Sequence, residues 1–352
     1  MSSPNYQDWR KALLPLESTT AQAIRSLNET AMQIVLVISP NGVLMGTVTD
    51  GDIRRSLIDD CSLDQPLSRV VKKIFFSVKQ SPSQRGEALF LMKKNRISAI
   101  PVVDEQMRPV GIELLLEPTT TREKKEELVV LMAGGMGMRL RPMTSDVPKP
   151  MLKVRGKPIL QHIIEQLIDQ GFQHFAITLN YLGRVIQDFF QDGSAWDVNI
   201  SYTRENQPLG TAGAVRLIEP APEKTFVVMN ADVISPFDLN DMLEHHHLYQ
   251  AAATMAVSLQ RTDLAYGVVQ TKDGKITQIE EKPSLHHLVN AGLYVLEPRT
   301  LRLIPEGAAF NMTDLFRDLI AQDESTQAFA LYEDWMDIGR PEQYQKANGG
   351  DQ

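Results

Sequence analysis

The chain has one cysteine, three tryptophans and no long apolar run. Each scarcity excludes something. Cys61 has no partner for an intramolecular disulfide, so a stapled fold is excluded and a reducing cytoplasm is the expected setting. The longest apolar stretches are short, such as Leu128-Val-Val-Leu-Met-Ala133, whereas a membrane helix needs ~20 residues. The opening stretch from Met1 to Arg10 lacks an apolar core and carries an early acid, so it does not read as a secretory signal. Positive charge is scarce too. With 36 Lys+Arg against 44 Asp+Glu, the formal net charge is −8. The first 120 residues hold 14 basic and 13 acidic residues, and the remainder 22 and 31. Neither part is basic, so no nucleic-acid surface is expected. A small anion is still allowed, because it needs only a local nest of donors and one or two cations.

What is present is an ordinary globular composition: 352 residues, 43% hydrophobic and 23% charged. That length implies two domains or one large one. The polar stretch Glu117-Pro-Thr-Thr-Thr-Arg-Glu-Lys-Lys-Glu-Glu127 reads as a linker, with the boundary at 118–127. It divides an expected domain at 1–120 from one at 126–352.

The N-terminal region carries an internal repeat. Ser18 is the expected cap of a helix presenting Ala23, Ile24 and Leu27 on one face. The run Ile34 to Ile38, a Pro40-Asn41-Gly42 turn and a strand from Val43 to Val48 follow. Sixty-five residues on, the pattern returns: a helix at about 83–94, a strand at Ala99–Val103, and Gly111 in the place of Gly46. Neither α-β-turn-β unit buries its strand face alone, so the two copies are expected to pair. This region resembles a tandem cystathionine-β-synthase (CBS) domain pair. The resemblance implies an adenine-nucleotide ribose contact at Thr49 and Asp52; the second copy has Leu114 and Glu117 there, so at most one such site is implied. The alternative for Thr49 and Asp52 is the cap of a helix from Ile53 to Ile58.

The strand-like run Leu128 to Met132 leads into Ala133-Gly-Gly-Met-Gly-Met-Arg-Leu-Arg-Pro142. Glycines after a strand let backbone N–H groups converge on an anion with no β-carbon in the way. Neither the P-loop nor the dinucleotide fingerprint fits. Arg139 and Arg141 follow, then Pro148-Lys149-Pro150, supplying a planar fork and a compact charge for phosphate oxygens.

These motifs resemble those of the sugar-phosphate nucleotidyltransferases, over roughly residues 128–345. The resemblance implies an α/β fold: a Rossmann-like mixed-sheet nucleotidyltransferase domain, here preceded by the α/β CBS pair. Ala133, Gly134, Gly135 and Gly137 match the signature loop, with Met138 departing from the usual threonine or serine. The segment Glu205 to Gly213 resembles the one beside the base and sugar, with Gln207, Pro208, Gly210 and Thr211 as its nucleotide-binding positions. The run Val227 to Asp232 ends in the implied Mg²⁺ ligand, and Trp335-Met-Asp-Ile-Gly-Arg-Pro341 supplies the second, Asp337. Gly267, Glu281, Lys282 and Asn290 match sugar-phosphate positions. Arg139, Lys149, Asp232 and Asp337 are thus the implied catalytic set.

The implied reaction is attack of a sugar 1-phosphate on the α-phosphorus of a nucleoside triphosphate, in the cytoplasm, by a homo-oligomer without nucleic-acid or membrane partners. The segment Pro208 to Gly213 resembles mannose-1-phosphate guanylyltransferase-like members. The fused CBS pair resembles the glucosamine-1-phosphate guanylyltransferases of bacterial legionaminic acid synthesis. GTP and glucosamine 1-phosphate are the favoured substrates; a UTP- or dTTP-dependent glucose-1-phosphate enzyme, or an inactive nucleotide-sensing homologue, is the alternative. The run His245-His246-His247 invites a metal reading, but adjacent helical residues do not share a face, so a solvated helix is expected instead. The methionines at 132, 136, 138, 143 and 151 read as core and pocket filling.

Overall fold

Alternation of apolar side chains along Lys125–Met132 sends Val129 and Leu131 to one face and Val130 to the other, and all three are buried. A strand covered on both faces belongs in the middle of an α/β sheet. In the computed structural model, which describes residues 9–60, 62–81, 83–95, 97–115, 124–333 and 335–349, it does lie there. Only the backbone of Asp60 and Asp337 is described. Cys61 and the part of the expected linker before residue 124 lie outside the described residues. Lys125 to Glu127 already belong to the strand, so the interruption is shorter than the polar composition implies.

The chain divides into two compact units, Thr120–Ser258 with Val289–Gln352, and Met1–Thr119 with Leu259–Leu288. Seven strands form a mixed sheet in the order Asn199–Arg204, Phe172–Leu179, Lys125–Met132, Phe226–Asn230, Ser284–Leu296, Ala253–Asp263, Thr326–Leu331, with all but 259–263 and 284–288 in the first unit. The first four run parallel, and Ser284–Leu296 is antiparallel to Phe226–Asn230. Helix Ile159–Asp169 buries Ile159, Leu160, Ile163, Ile164 and Leu167 against the face that carries Val129 and Leu131. Helix Met312–Ala321 covers the opposite face through Met312, Leu315, Phe316 and Leu319.

Helix Leu239–Leu248 corrects the solvated reading of the histidine run. Leu239, Met242, Leu243 and His246 share its buried stripe, and His246 is 1% exposed. Its Nδ1 lies 2.8 Å from Thr254 Oγ1, and its Nε2 lies 3.2 Å from Glu297 Oε1. Burial pushes the His246 pKa down, against the pull of Glu297. The unfolded chain takes up this proton at an ordinary histidine pKa of ~6.5, the folded chain only at lower pH. Stability is therefore complete above that range and falls as pH drops through it. His246→Ala should cost about 2 kcal/mol, by leaving a void and the buried Thr254 hydroxyl without its partner, whereas Glu297 keeps its bond from Thr225. Denaturant midpoints followed across the histidine range should slope in the wild type and flatten in the variant; equal slopes would exclude His246 as the source.

In the other unit, the repeat is a repeat of topology. Leu13–Pro15 pairs parallel with Ile34–Ile38, which pairs antiparallel with Leu44–Thr49. Val78–Lys79, Ala99–Val103 and Pro109–Leu114 repeat that order. Both antiparallel pairs carry an irregularity at the matching place, Val37/Ile38 and Val102/Val103. Ile34, Leu36 and Leu44 of one copy share a buried cluster with Ala99 and Val103 of the other, so the two do pair. The first helix, Thr20–Thr30, is capped by Thr19 in a capping box with Gln22, rather than by Ser18. Among the described residues no helix is long and apolar enough to cross a membrane.

Candidate active site

Backbone register brings the two halves of the site together. Met132 pairs with Asn230 on the adjacent parallel strand, so Gly134 and Asp232 each emerge two residues beyond a shared rung. Carboxyl ends of parallel strands are where ligands of open α/β sheets gather. Val233–Ile234 then pairs antiparallel with Met336–Asp337, placing the backbone of Asp337 opposite Val233. Ile338 N–H donates to the Asp232 carbonyl at 3.2 Å, and Trp335 Nε1–H donates to the Ala291 carbonyl at 3.0 Å. These bonds fix the second carboxylate motif beside the first.

The glycine loop is shaped by close approach. Gly137 takes a left-handed φ of 61°, and a Cβ there would come within 3.0 Å of Thr144 Cγ2. The Thr144 hydroxyl donates to the Gly137 carbonyl at 2.9 Å. At Gly134 an added Cβ would sit 2.4 Å from Glu205 Oε1, whereas Gly135 faces open space. Ala133 is buried at the end of the strand. Arg139 follows in the turn Met138–Leu140, exposed, while Leu140 anchors the turn in the core. Met136, Met138 and Met143 are exposed around this loop, so only Met132 and Met151 of the five methionines serve packing.

Lys149, only 8% exposed, bonds through Nζ to Asp232 Oδ2. Asp232 Oδ1 is buried and has no hydrogen-bond partner. An unmet buried acceptor costs ~1–3 kcal/mol, a strain that a cation removes. The fit is good for a hard divalent ion such as Mg²⁺, which prefers carboxylate oxygen and completes its shell from phosphate and water.

Around this centre, Glu205 Oε2 accepts from Leu209 N–H at 3.0 Å, and burial raises its pKa. Glu205 opens the segment to Gly213 that resembles the one beside the base and sugar; its apposition to Gly134, which depends on the neighbouring strand end, was not legible. Gly210 opens the short helix Gly210–Gly213, preceded by exposed Gln207 and Pro208. Gln207 Nε2 donates to the Gly307 carbonyl at 3.0 Å, and the Thr211 hydroxyl accepts from Met312 N–H at 2.9 Å. Both ends of the Asn290 amide are engaged, with Tyr294 Oη at 2.8 Å and Gly292 N–H at 2.9 Å. Gly267, Glu281 and Lys282 belong to the other compact unit, at the base of the hairpin formed by Val268–Lys272 and Lys275–Glu280. There Glu281 Oε2 fills the space in front of Gly267, 2.7 Å from where its Cβ would be.

At the CBS-like positions, the helix is Asp50–Asp60 and begins earlier than expected. Asp52 Oδ2 accepts from the Thr49 N–H at 2.9 Å and the Thr49 hydroxyl at 2.6 Å. Its Oδ1 meets Arg55 at 2.5 Å and Lys72 at 3.4 Å. Among the described residues no cluster of three or more His, Cys, Asp or Glu forms, the histidine run included.

Comparison with known proteins decides the family. The nucleotidyl transferase pattern matches residues 128–352, and the CBS-domain pattern matches 65–112. The chain belongs to the nucleotidyl transferase family. Its α/β fold is that of a mixed-sheet nucleotidyl transferase domain with a CBS pair ahead of it. It is 32% identical over 241 residues to a UTP–glucose-1-phosphate uridylyltransferase of Synechocystis sp., covering 63% of this chain and 62% of that protein. It is also 32% identical over 223 residues to the mannose-1-phosphate guanylyltransferase catalytic subunit beta of Danio rerio, covering 61% and 62%. Less than two thirds of either relative is therefore spanned. The crystal structure of HddC from Yersinia pseudotuberculosis shares 28% identity and a TM-score of 0.51, over 63% of this chain and 98% of that one.

Proposed function

We propose that this nucleotidyl transferase moves a nucleoside monophosphate onto a sugar 1-phosphate, with GTP and glucosamine 1-phosphate as substrates. The observation that carries the reading is the half-buried Asp232 carboxylate, one oxygen bound by Lys149 and the other, itself buried, unmet, beside an open glycine loop. An oxygen of the sugar 1-phosphate attacks the α-phosphorus, the bond to the bridging oxygen of the β-phosphate breaks, and pyrophosphate leaves with that electron pair. The nucleophile is already an anion, so no general base is needed. Positioning and charge neutralisation supply the rate. Loop amides and Arg139 stabilise the departing pyrophosphate, and Lys149 holds phosphate oxygens. Asp232 and Asp337 are the residues that would hold Mg²⁺, whose charge, when bound, offsets that of the phosphates.

Guanine recognition is assigned to Glu205, which lies against Gly134 of the glycine loop. Guanine offers adjacent N1–H and N2–H donors that a carboxylate accepts together, whereas uracil and thymine flank a single N–H with two carbonyls. A pyrophosphate-release screen of four nucleoside triphosphates against sugar 1-phosphates, with and without Mg²⁺, tests the whole reading. GTP with glucosamine 1-phosphate should be the fastest pair. Preference for UTP or dTTP with glucose 1-phosphate would establish the alternative, and no release with any pair would refute the activity. Glu205→Gln should lower kcat/KM for GTP by ~10–100-fold, since hydrogen bonds to charged groups contribute ~1.5–3 kcal/mol. An unchanged preference would remove Glu205 from base recognition.

The organisation that goes with this function is a regulatory or dimerisation domain at 1–120 ahead of a catalytic domain at 126–352, in a cytoplasmic homo-oligomer. The CBS match at 65–112 supports an adenine nucleotide as the effector class; Thr49 and Asp52, ahead of the matched stretch, are the residues proposed to bind it.

A further inference from the structure

Arg139 borders a cavity of about 550 Å³ whose other lining residues are Arg340, Glu342 and Gln343. Arg340 precedes helix Pro341–Ala347, in the loop that leaves the Asp337 strand, and like Arg139 it is exposed. Neither arginine has an ion-pair partner among the described residues. Two guanidinium groups lining one cavity can be bridged by a single polyanion. Gln343 is oriented as well: its Oε1 accepts from Gly339 N–H at 3.0 Å, which leaves its NH₂ group as a donor.

We propose that Arg340 is a second phosphate clamp, binding with Arg139 the β- and γ-phosphates that leave as pyrophosphate. The proposal rests on the nucleoside triphosphate reading above. Guanidinium forks match phosphate oxygens in pairs, and a pyrophosphate has enough oxygens for both. Glu342, on the same wall, keeps the cavity from being uniformly positive and limits its affinity for the product. The loop thereby links the second carboxylate motif to release of the leaving group.

Inorganic tripolyphosphate, titrated calorimetrically into the full-length chain, reads the clamp without any sugar or turnover. Arg340→Gln should weaken it at least tenfold, and Arg340→Lys should recover part of that loss. In the active enzyme, the same variant should raise KM for the triphosphate and for pyrophosphate in the reverse reaction, leaving KM for the sugar 1-phosphate unchanged. Equal tripolyphosphate affinity in wild type and Arg340→Gln overturns the clamp. Weakened affinity in a protein that turns over no sugar 1-phosphate upholds the clamp and refutes the reaction instead.

Discussion

Arg139→Ala is expected to lower kcat by ~10²–10³, the usual effect of deleting one preorganised charge stabiliser. The fold should survive. Arg139 is exposed, and its turn is held by buried Leu140 and by the bond from Arg141 N–H to the Met138 carbonyl. Nothing in the core depends on the guanidinium. The loss should appear mainly in kcat if charge on the departing pyrophosphate grows in the transition state, and mainly in KM if the arginine only holds the triphosphate. Arg139→Lys should recover part of the rate, because an ammonium keeps the charge but not the fork. Steady-state pyrophosphate release decides between these, and near-wild-type turnover in the alanine variant would remove Arg139 from the site.

The glycine loop was legible because its residues are contiguous: a buried-type strand, three glycines and an arginine follow each other directly. The CBS-like repeat was legible for a related reason, since each strand run returns at a fixed spacing. The His246 stripe was present in the sequence as well, at positions 239, 242, 243 and 246, with a polar residue completing an otherwise apolar period. Other features could not be read at all. Glu205 meets Gly134 only because their strand ends lie close in the folded sheet, as the close approach at that glycine shows. Arg340 shares a cavity with Arg139 although 200 residues separate them. Local pattern reports faces and turns; it does not report which loops the sheet order makes neighbours.

The Asp232–Lys149 pair yields the second large effect, and its sign pattern distinguishes catalysis from structure. Asp232→Asn keeps the shape and removes the charge, and kcat should fall by ~10²–10³ or more. Removal of divalent metal by a chelator should abolish wild-type turnover, and added Mg²⁺ should restore it. The variant should need far more Mg²⁺ for what activity remains. Stability should move much less than activity: the ion pair with Lys149 is lost, but the buried, unmet Oδ1 no longer carries carboxylate charge. Lys149→Met alone should be comparably damaging to turnover, because it removes a phosphate ligand and leaves Asp232 without its cation. If the two residues act as one unit, the double variant should be little worse than either single one. Full additivity in that cycle, with Mg²⁺ dependence unchanged in Asp232→Asn, would mean that the pair is structural and that the metal, if used, is held elsewhere.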